Sequence, residues 1–267
     1  MNSPLVSIVV NNYNNELFLK DCLDSLMAQT YRNIEIIVVD AFSSDNSRMV
    51  LDEYACRDDR IKLIYTESYV QYPAITYNLG FLNCSGDFIA INDADDMSMP
   101  TRIEKQLGYL RDHLDIGVVG CNCVEFNDSM ERIVTTTVEK NVRNAAPPAR
   151  NPSLMFRKSV VAAHGMWRWQ CEYAADFEWL YRWYTAGVRF FILEEPLIRY
   201  RHSHGGNISN VKGLNQAVKL AIFRTYFGFK MLKSSGLRWW LQTLSSYYYV
   251  ASLSFKLCLK IVSAWVK

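Results

Sequence analysis

The chain has 267 residues, half of them hydrophobic, and a formal net charge of +2. It is long enough for one large α/β domain, or for a domain with an appendage, and it can form a substantial core. Its seven cysteines lack paired spacing, and the first residues, MNSPLVSIVV, show no charged segment typical of a secretory signal. These features argue against a secreted protein and predict that the protein is located in the reducing cytosol.

The charge is distributed unevenly along the chain. Residues 211–267 contain nine Lys or Arg and no acidic residue, which leaves 20 basic against 27 acidic residues in 1–210. This tail is also rich in aromatic and aliphatic side chains, so we expect basic amphipathic helices at an anionic membrane surface. Lys256 and Lys260 argue against a membrane-crossing helix over Tyr247–Val266, and wide apolar faces argue against nucleic acid. A hairpin packed on the protein or on a partner subunit is the alternative.

Five short apolar, β-branched runs alternate with segments in which apolar residues recur at helical spacing. This alternation predicts an α/β fold with a Rossmann-like, mainly parallel sheet flanked by helices. No Gly-x-Gly-x-x-Gly follows the first run and no Gly-Lys-Ser/Thr loop occurs, which disfavours a Rossmann cofactor site and a P-loop. The predicted strands are Leu5–Val10, Ile34–Val39, Ile61–Tyr65, Phe88–Asn92 and Ile116–Cys121; the predicted helices cover Leu19–Leu26, Met49–Cys56, Ala74–Leu82 and Arg102–Arg111.

Polar residues follow several of these strands. Asn11–Asn14, Asp40 and Asp93–Asp96 each come directly after an apolar run. Ligands bind beyond the carboxyl ends of the strands in parallel sheets, so we expect one cleft to gather these residues.

Three carboxylates occur within four residues at Asp93, Asp95 and Asp96. Their mutual repulsion is relieved when a cation or a donor-bearing partner lies among them. Hard oxygen ligands favour Mg²⁺ or Mn²⁺, and Mg²⁺ typically binds one or two carboxylates together with substrate phosphates. A solvated acidic turn is the alternative.

The second half of the sequence is less regular. Residues 124–150 lose the periodicity and predict a loop, whereas Phe190–Leu193 and Pro196–Tyr200 predict two strands. A helical pattern after Ala175 places Asp176 at a helix N-terminus, where exposed amides favour a carboxylate or a simple N-cap. The segment Arg201–Gly206 carries two histidines, which predict either a metal or phosphate site or a solvated loop.

Four motifs in this order resemble family 2 of the GT-A glycosyltransferases, which are inverting enzymes with a nucleotide-sugar donor. They are VSIVVNNYNN, EIIVVDAFSSDNS, YNLGFLNCSGDFIAINDADD and AADFEWLYRW, and the likeness covers about residues 4–205.

The resemblance implies a role for each matching residue. Asp40 would contact the nucleotide base and Asp93 the ribose, while Asp95, supported by Asp96, would hold Mn²⁺ or Mg²⁺ against the diphosphate. Asp176 would be the general base. The remaining predicted site residues are Asn12, Tyr13 and Asn78 for the nucleotide-sugar and His204 for the metal.

Several positions depart from the family pattern. Asn11 replaces a proline, Ala41 an acid, Phe42 a glycine, Tyr77 an arginine and Ala175 a glutamate. These departures concern the nucleotide and phosphate contacts and retain the metal carboxylates and the proposed base. The Gln-x-x-Arg-Trp signature of processive synthases is also missing, which favours addition of a single sugar.

The sequence therefore predicts a GT-A domain over 1–210, divided into a nucleotide-sugar half, 1–123, and an acceptor half, 124–210, followed by the tail. We expect a metal-dependent transferase at the cytoplasmic membrane face, with a UDP-sugar donor favoured. Its acceptor would be a glycan or a polyprenyl-linked glycan of a bacterial surface polysaccharide. A catalytically silent binding module and a sugar-phosphate nucleotidyltransferase are the alternatives.

Overall fold

A computed structural model describes residues 3–143, 146–169, 171 and 175–202. The predicted alternation of strands and helices is confirmed through residue 121. The strands are β1 Val6–Asn12, β2 Ile34–Asp40, β3 Ile61–Tyr65, β4 Phe88–Asp93, β5 Met97–Ser98, β6 Ile116–Asn127, β7 Met130–Val134, β8 Met155–Arg157 and β9 Arg189–Arg201. The α-helices are α1 Glu16–Met27, α2 Ser47–Arg57, α3 Pro73–Leu82, α4 Arg102–Asp112, α5 Val138–Arg143, α6 Lys158–His164 and α7 Ala175–Thr185.

The described strands form one nine-stranded sheet with the order β3-β2-β1-β4-β8-β6-β9-β5, and β7 pairs with β6. Strands β1 to β4 are mutually parallel, as helical crossovers between them require. Strand β8 runs antiparallel to both β4 and β6, and β6 is parallel to β9. The sheet is therefore mixed, with a parallel half that brings the carboxyl ends of β1, β2 and β4 to one edge.

Alternating side chains of the buried strands form a separate apolar core on each face of the sheet. On one face, Leu23 of α1 and Leu107 of α4 pack with Ile8 and Ile36. On the other face, Tyr77 of α3 and the tryptophans of α7 pack with strand residues such as Val9. This two-sided covering explains why the first strands read as continuous apolar runs.

Two predictions for the second half were wrong. The predicted loop 124–150 contains the end of β6, the hairpin strand β7 and helix α5. Polar residues such as Glu125 interrupted the apolar pattern, but that carboxylate is buried and paired with Arg132 on β7. Likewise, the two predicted strands after residue 189 are one strand, β9, with an irregularity that pairs Asn122 with Pro196.

Candidate active site

Strand β4 delivers the three predicted carboxylates to the edge where the parallel strands end. Asp93, its last residue, is in register with Asn11 on β1, and Asp95 and Asp96 lie in the turn that leads into β5. One carboxylate oxygen of each aspartate lies within 4.8 Å of the others. The structure thus brings the three predicted residues together as one cluster, the carboxylate trio.

The electrostatics of the trio suit a divalent cation. Burial raises the pKa of Asp93 to about 7, with a further contribution from the charge of Asp95. Burial also raises the pKa of Asp95, and burial with the charge of Asp93 raises that of Asp96 well above its usual value. The buried Oδ2 atom of Asp96 has no hydrogen-bond partner among the described residues. Three hard oxygen donors, one of them unsatisfied, therefore fit Mg²⁺ or Mn²⁺.

Two residues that were not among the predicted site residues, Tyr77 and Arg201, hold the trio in place. Tyr77 donates a hydrogen bond to Oδ1 of Asp93. At the end of β9, the backbone N–H of Arg201 donates to Oδ1 of Asp96 at 2.8 Å, and its Nε donates to the carbonyl oxygen of Asp95 at 3.1 Å. These contacts join the first half of the chain to the last described strand, a pairing that local sequence patterns do not reveal.

A fully buried arginine, Arg102, contacts β4, the strand that carries Asp93. Its guanidinium makes five hydrogen bonds, and every acceptor is uncharged. Burial lowers its pKa, whereas the charges of Asp96 and Asp93 oppose that shift. A buried cation is tolerated when it is fully hydrogen-bonded and near opposite charge, and Asp96 and Asp93 supply that charge. The five acceptors are Oε1 of Gln106, Oδ1 of Asn92, Oγ of Ser98 and the carbonyl oxygens of Ile91 and Leu154.

Asp40 and Asn12 meet at the ends of β2 and β1. Nδ2 of Asn12 donates to Oδ2 of Asp40 at 2.8 Å, and the backbone N–H and the hydroxyl of Ser43 donate to its two oxygens at 3.0 and 2.5 Å. Nε of Arg48 donates to Oδ1 at 3.0 Å. Both oxygens of the buried Asp40 are thus engaged within the protein, and this residue organises the loop after β2. Its predicted contact with the base stays a prediction.

Exposed aromatic rings surround this end of the sheet. Tyr13 is 42% exposed, and its ring centroid lies 5.0 Å from that of Tyr69. Phe42 is 44% exposed and has a φ of 68°, in the left-handed region that L-residues avoid. The guanidinium of Arg48 lies between the rings of Phe42 and Tyr65, 5.1 and 5.0 Å from their centroids. Such flat apolar surfaces suit stacking of a base.

Asn78 faces a different part of the molecule from Asp40. Its Nδ2 donates to the carbonyl oxygen of Trp167 at 2.8 Å, and its Oδ1 accepts from the N–H of Trp167 at 3.0 Å. The side chain therefore joins α3 to the segment before α7, and its predicted donor contact stays a prediction.

Asp176 occupies the first turn of α7, as predicted. Its Oδ1 accepts a hydrogen bond from the N–H of Phe177 at 2.7 Å. Burial raises the pKa of Asp176, against the effect of that hydrogen bond. The charge of Asp176 also raises the pKa of Asp93, after the larger effects of burial and of the charge of Asp95.

His204 and the tail 211–267 lie outside the described residues, so their predicted roles stay predictions. Within the described part of the chain, no helix has the length and hydropathy needed to cross a bilayer.

Comparison with known proteins agrees with this geometry. The family model described as Glycosyl transferase family 2 matches residues 7–170. The chain belongs to glycosyltransferase family 2. Two similar proteins from Bacillus subtilis are the putative glycosyltransferases EpsE and EpsH. EpsE is 31% identical over 208 residues, which are 75% of this chain and 74% of EpsE. EpsH is 31% identical over 216 residues, 75% of this chain and 62% of EpsH.

Solved structures establish the fold of this glycosyltransferase. S. aureus TarS 1-349 in complex with UDP-GlcNAc matches with a TM-score of 0.69 at 16% identity. The matched region covers 92% of this chain and 70% of the TarS chain. The mannosyltransferase PcManGT from Pyrobaculum calidifontis, in complex with GDP-Man and Mn²⁺, has a TM-score of 0.64 at 15% identity and covers 99% and 81%. The predicted GT-A fold and the predicted enzyme class are confirmed.

Proposed function

We propose that this glycosyltransferase is metal-dependent and inverting, and that it moves one sugar from a UDP-sugar to a hydroxyl of a membrane-associated glycan or lipid-linked acceptor. The observation that carries this proposal is the carboxylate trio at the carboxyl edge of the parallel strands. The trio would hold the cation and the donor diphosphate, and Asp176 would accept the proton of the acceptor hydroxyl.

The donor side follows from the residues at the strand ends. Asp95 and Asp96 would bind Mn²⁺ or Mg²⁺, which as a Lewis acid stabilises a departing diphosphate. Asp93 would bind the ribose, and Tyr13 would stack on the base. A UDP-sugar is favoured because the structural neighbour TarS binds UDP-GlcNAc, although PcManGT binds GDP-Man, so the base is to be tested directly.

The acceptor side depends on Asp176. A carboxylate with a raised pKa is a stronger base than a free one, and a positioned base contributes roughly 10²–10⁴-fold to the rate. As the acceptor oxygen attacks the anomeric carbon, its proton passes to Asp176 and the bond to the diphosphate oxygen breaks. One such in-line displacement converts an α-linked donor into a β-linked product.

Calorimetric titration tests the donor site. UDP, GDP and dTDP are titrated into the full chain with and without Mn²⁺, and into Asp95→Asn. We expect tight binding of one nucleotide that requires both Mn²⁺ and Asp95. The matched control is Asp128→Asn, since Asp128 is exposed in the turn between β6 and β7. Failure of the folded protein to bind any nucleotide would refute the proposal and favour a silent binding module.

A second experiment tests Asp176 as the general base. Asp176→Asn keeps the size of the side chain but removes its basicity, so nucleotide affinity is expected to change less than about twofold while turnover falls at least about 100-fold. Equal turnover in the variant and the parent would exclude Asp176 as the base. Within the family assignment, no observation favours a nucleotidyltransferase.

The basic tail supports a peripheral position at the inner face of the membrane. A role in surface polysaccharide synthesis belongs to the same proposal and rests on the family resemblance. Flotation of the full chain with phosphatidylglycerol vesicles, compared with phosphatidylcholine vesicles, tests the peripheral position. We expect association with the anionic vesicles that weakens in high salt and in Lys256→Glu/Lys260→Glu. Equal flotation with both lipids would contradict the electrostatic attachment.

A further inference from the structure

A buried carboxylate near the end of β6 gathers three groups that can carry positive charge. Glu125 is 3% exposed. Nε and Nη2 of Arg132 donate to its Oε2 at 3.0 and 2.7 Å, and Nη2 of Arg150 lies 2.7 Å from its Oε1. Nε2 of His202 lies 3.2 Å from Oε2. We call these four residues the Glu125 cluster.

The Glu125 cluster carries more positive than negative charge. Burial alone would raise the pKa of Glu125, but the hydrogen bond from Arg132 and the charge of Arg150 hold it at about 2. The carboxylate is therefore ionised, and the two arginines leave an excess of one positive charge even when His202 is neutral. The carboxylate neutralises only one of the two positive charges, so the cluster keeps a net positive charge that an anion can compensate.

The arginines of this cluster also reach solvent. The side chain of Arg132 is 63% exposed and that of Arg150 is 36% exposed. Guanidinium groups fixed at one edge by a carboxylate keep their outer N–H groups in a defined orientation. That geometry suits bidentate binding of a phosphate.

The Glu125 cluster borders the carboxylate trio from the side of residues 124–210. The guanidinium of Arg150 lies 5.5 Å from the ring centroid of Tyr200. On β9, Tyr200 is in register with Glu125 on β6; burial and then the charges of the trio raise the pKa of Tyr200, whereas Arg150 lowers it. The next residue, Arg201, bonds directly to Asp96.

We propose that Arg132 and Arg150, oriented by Glu125, bind a phosphate or diphosphate group of the acceptor. The position on the acceptor half and beside the trio suits a ligand whose hydroxyl must reach the donor sugar. The acceptor phosphate is not altered by the transfer and serves only as an anchor. Naming the ligand as the acceptor rests on the proposed function, whereas the anion site itself rests on the ion pairs of the Glu125 cluster.

The test is a titration of inorganic pyrophosphate into the full chain in EDTA, where the trio without metal repels anions. Farnesyl diphosphate and farnesol form two further arms, which separate a free anion from a prenyl-linked one. We expect Arg150→Met and Arg132→Met each to weaken diphosphate binding at least about 10-fold. The affinity of Arg150→Lys is expected to lie between those of Arg150→Met and the parent protein. Farnesol, which lacks a phosphate, is expected not to bind detectably.

Arg189→Met is the matched control, because Arg189 pairs with Asp115 at the opposite end of β9 and its loss is expected to leave binding unchanged. Each variant is expected to fold, because Glu125 keeps at least one arginine partner in every case. Circular dichroism verifies this. Equal diphosphate affinity in all variants would overturn the proposal. An equal loss of Mn²⁺-dependent UDP binding in Arg150→Met would also overturn it, because the arginines would then belong to the donor site.

The two proposals fail in different ways. If the parent protein binds pyrophosphate through Arg132 and Arg150 but no nucleotide with Mn²⁺, the anion site stands and the transferase proposal falls. If nucleotide binds normally and pyrophosphate affinity is unchanged in Arg132→Met and Arg150→Met, only the proposed anion site is refuted.

Discussion

The hydroxyl of Tyr77 on α3 donates its hydrogen bond to Oδ1 of Asp93, the last residue of β4. A neutral donor thus supports the first carboxylate of the trio at a position where the family resemblance leads one to expect an arginine. Because this hydrogen bond favours the ionised form, it lowers the pKa of Asp93 against the stronger effect of burial. The site is therefore more negative without metal than an arginine would leave it.

Tyr77→Phe is expected to destabilise the metal-free protein by about 1–3 kcal/mol at pH 8, where Asp93 is ionised and loses its donor. The loss is expected to shrink at pH 6, where more of this carboxyl is protonated. Urea unfolding in EDTA at both pH values measures the difference. Tyr181→Phe is the control, since the Tyr181 hydroxyl donates to the backbone carbonyl oxygen of Ala146 at 2.8 Å; this acceptor does not titrate, so the effect is expected to be the same at both pH values.

The metal-free protein is expected to become more stable as the pH falls from 8 to 6. The pKa of Asp93 is about 7 in the folded protein and about 3.9 in an unfolded chain, so between these values the folded state binds more protons. Acidification therefore favours folding, and this gain is lost as the pH rises through 7. Thermal melts in EDTA measure it.

Two controls accompany these melts. Asp93→Asn is expected to flatten the pH dependence, and Mn²⁺ added at pH 8 is expected to raise the melting temperature of the parent protein by binding the folded state. A melting temperature that falls from pH 8 to pH 6 in EDTA would contradict the raised pKa of Asp93 in the folded protein.

Arg102→Met is expected to destabilise the protein by about 3–5 kcal/mol, because five buried acceptors lose their donor and the trio loses its counter-charge. Arg102→Lys retains the charge but offers fewer donors in a different geometry, so it is expected to recover only part of the loss. Urea denaturation measures both. Arg189→Met, an exposed arginine, is expected to stay within about 0.5 kcal/mol of the parent.

Phe42 provides a test of backbone strain at the site. Phe42→Gly and Phe42→Ala both remove the ring, but only glycine adopts a φ of 68° without a steric cost. The glycine variant is therefore expected to be more stable than the alanine variant by about 1 kcal/mol. At Met49, exposed on helix α2, the same pair is expected to show the reverse order, because alanine is the better helix former.

The comparison at Phe42 also has a functional reading. If both variants lose nucleotide affinity equally while their stabilities differ, the nucleotide is bound by the aromatic ring of Phe42 and does not depend on its backbone conformation. Equal stability of the glycine and alanine variants would show that the left-handed backbone stores no strain.

The sequence by itself determined the parallel half of the sheet and the trio. Apolar runs of β1 to β4 and helical spacing between them are local patterns, and chain order alone places Asp40 and Asp93 at the same edge. Asp93, Asp95 and Asp96 are neighbours in sequence, so their convergence needed no long-range information. The four motifs indicated the family for the same reason, since each is a short continuous segment.

Only the tertiary structure decided which partners these groups have. Arg201 is 105 residues from Asp96 along the chain, and Arg102 becomes a counter-charge only because five acceptors from several elements surround it. Strand β6 was predicted too short because Glu125 looked like a loop residue, and its burial depends on Arg132 and Arg150 arriving from other segments. Buried polar residues follow no local periodicity, because their cost is met by partners that the fold, and not the neighbouring sequence, supplies.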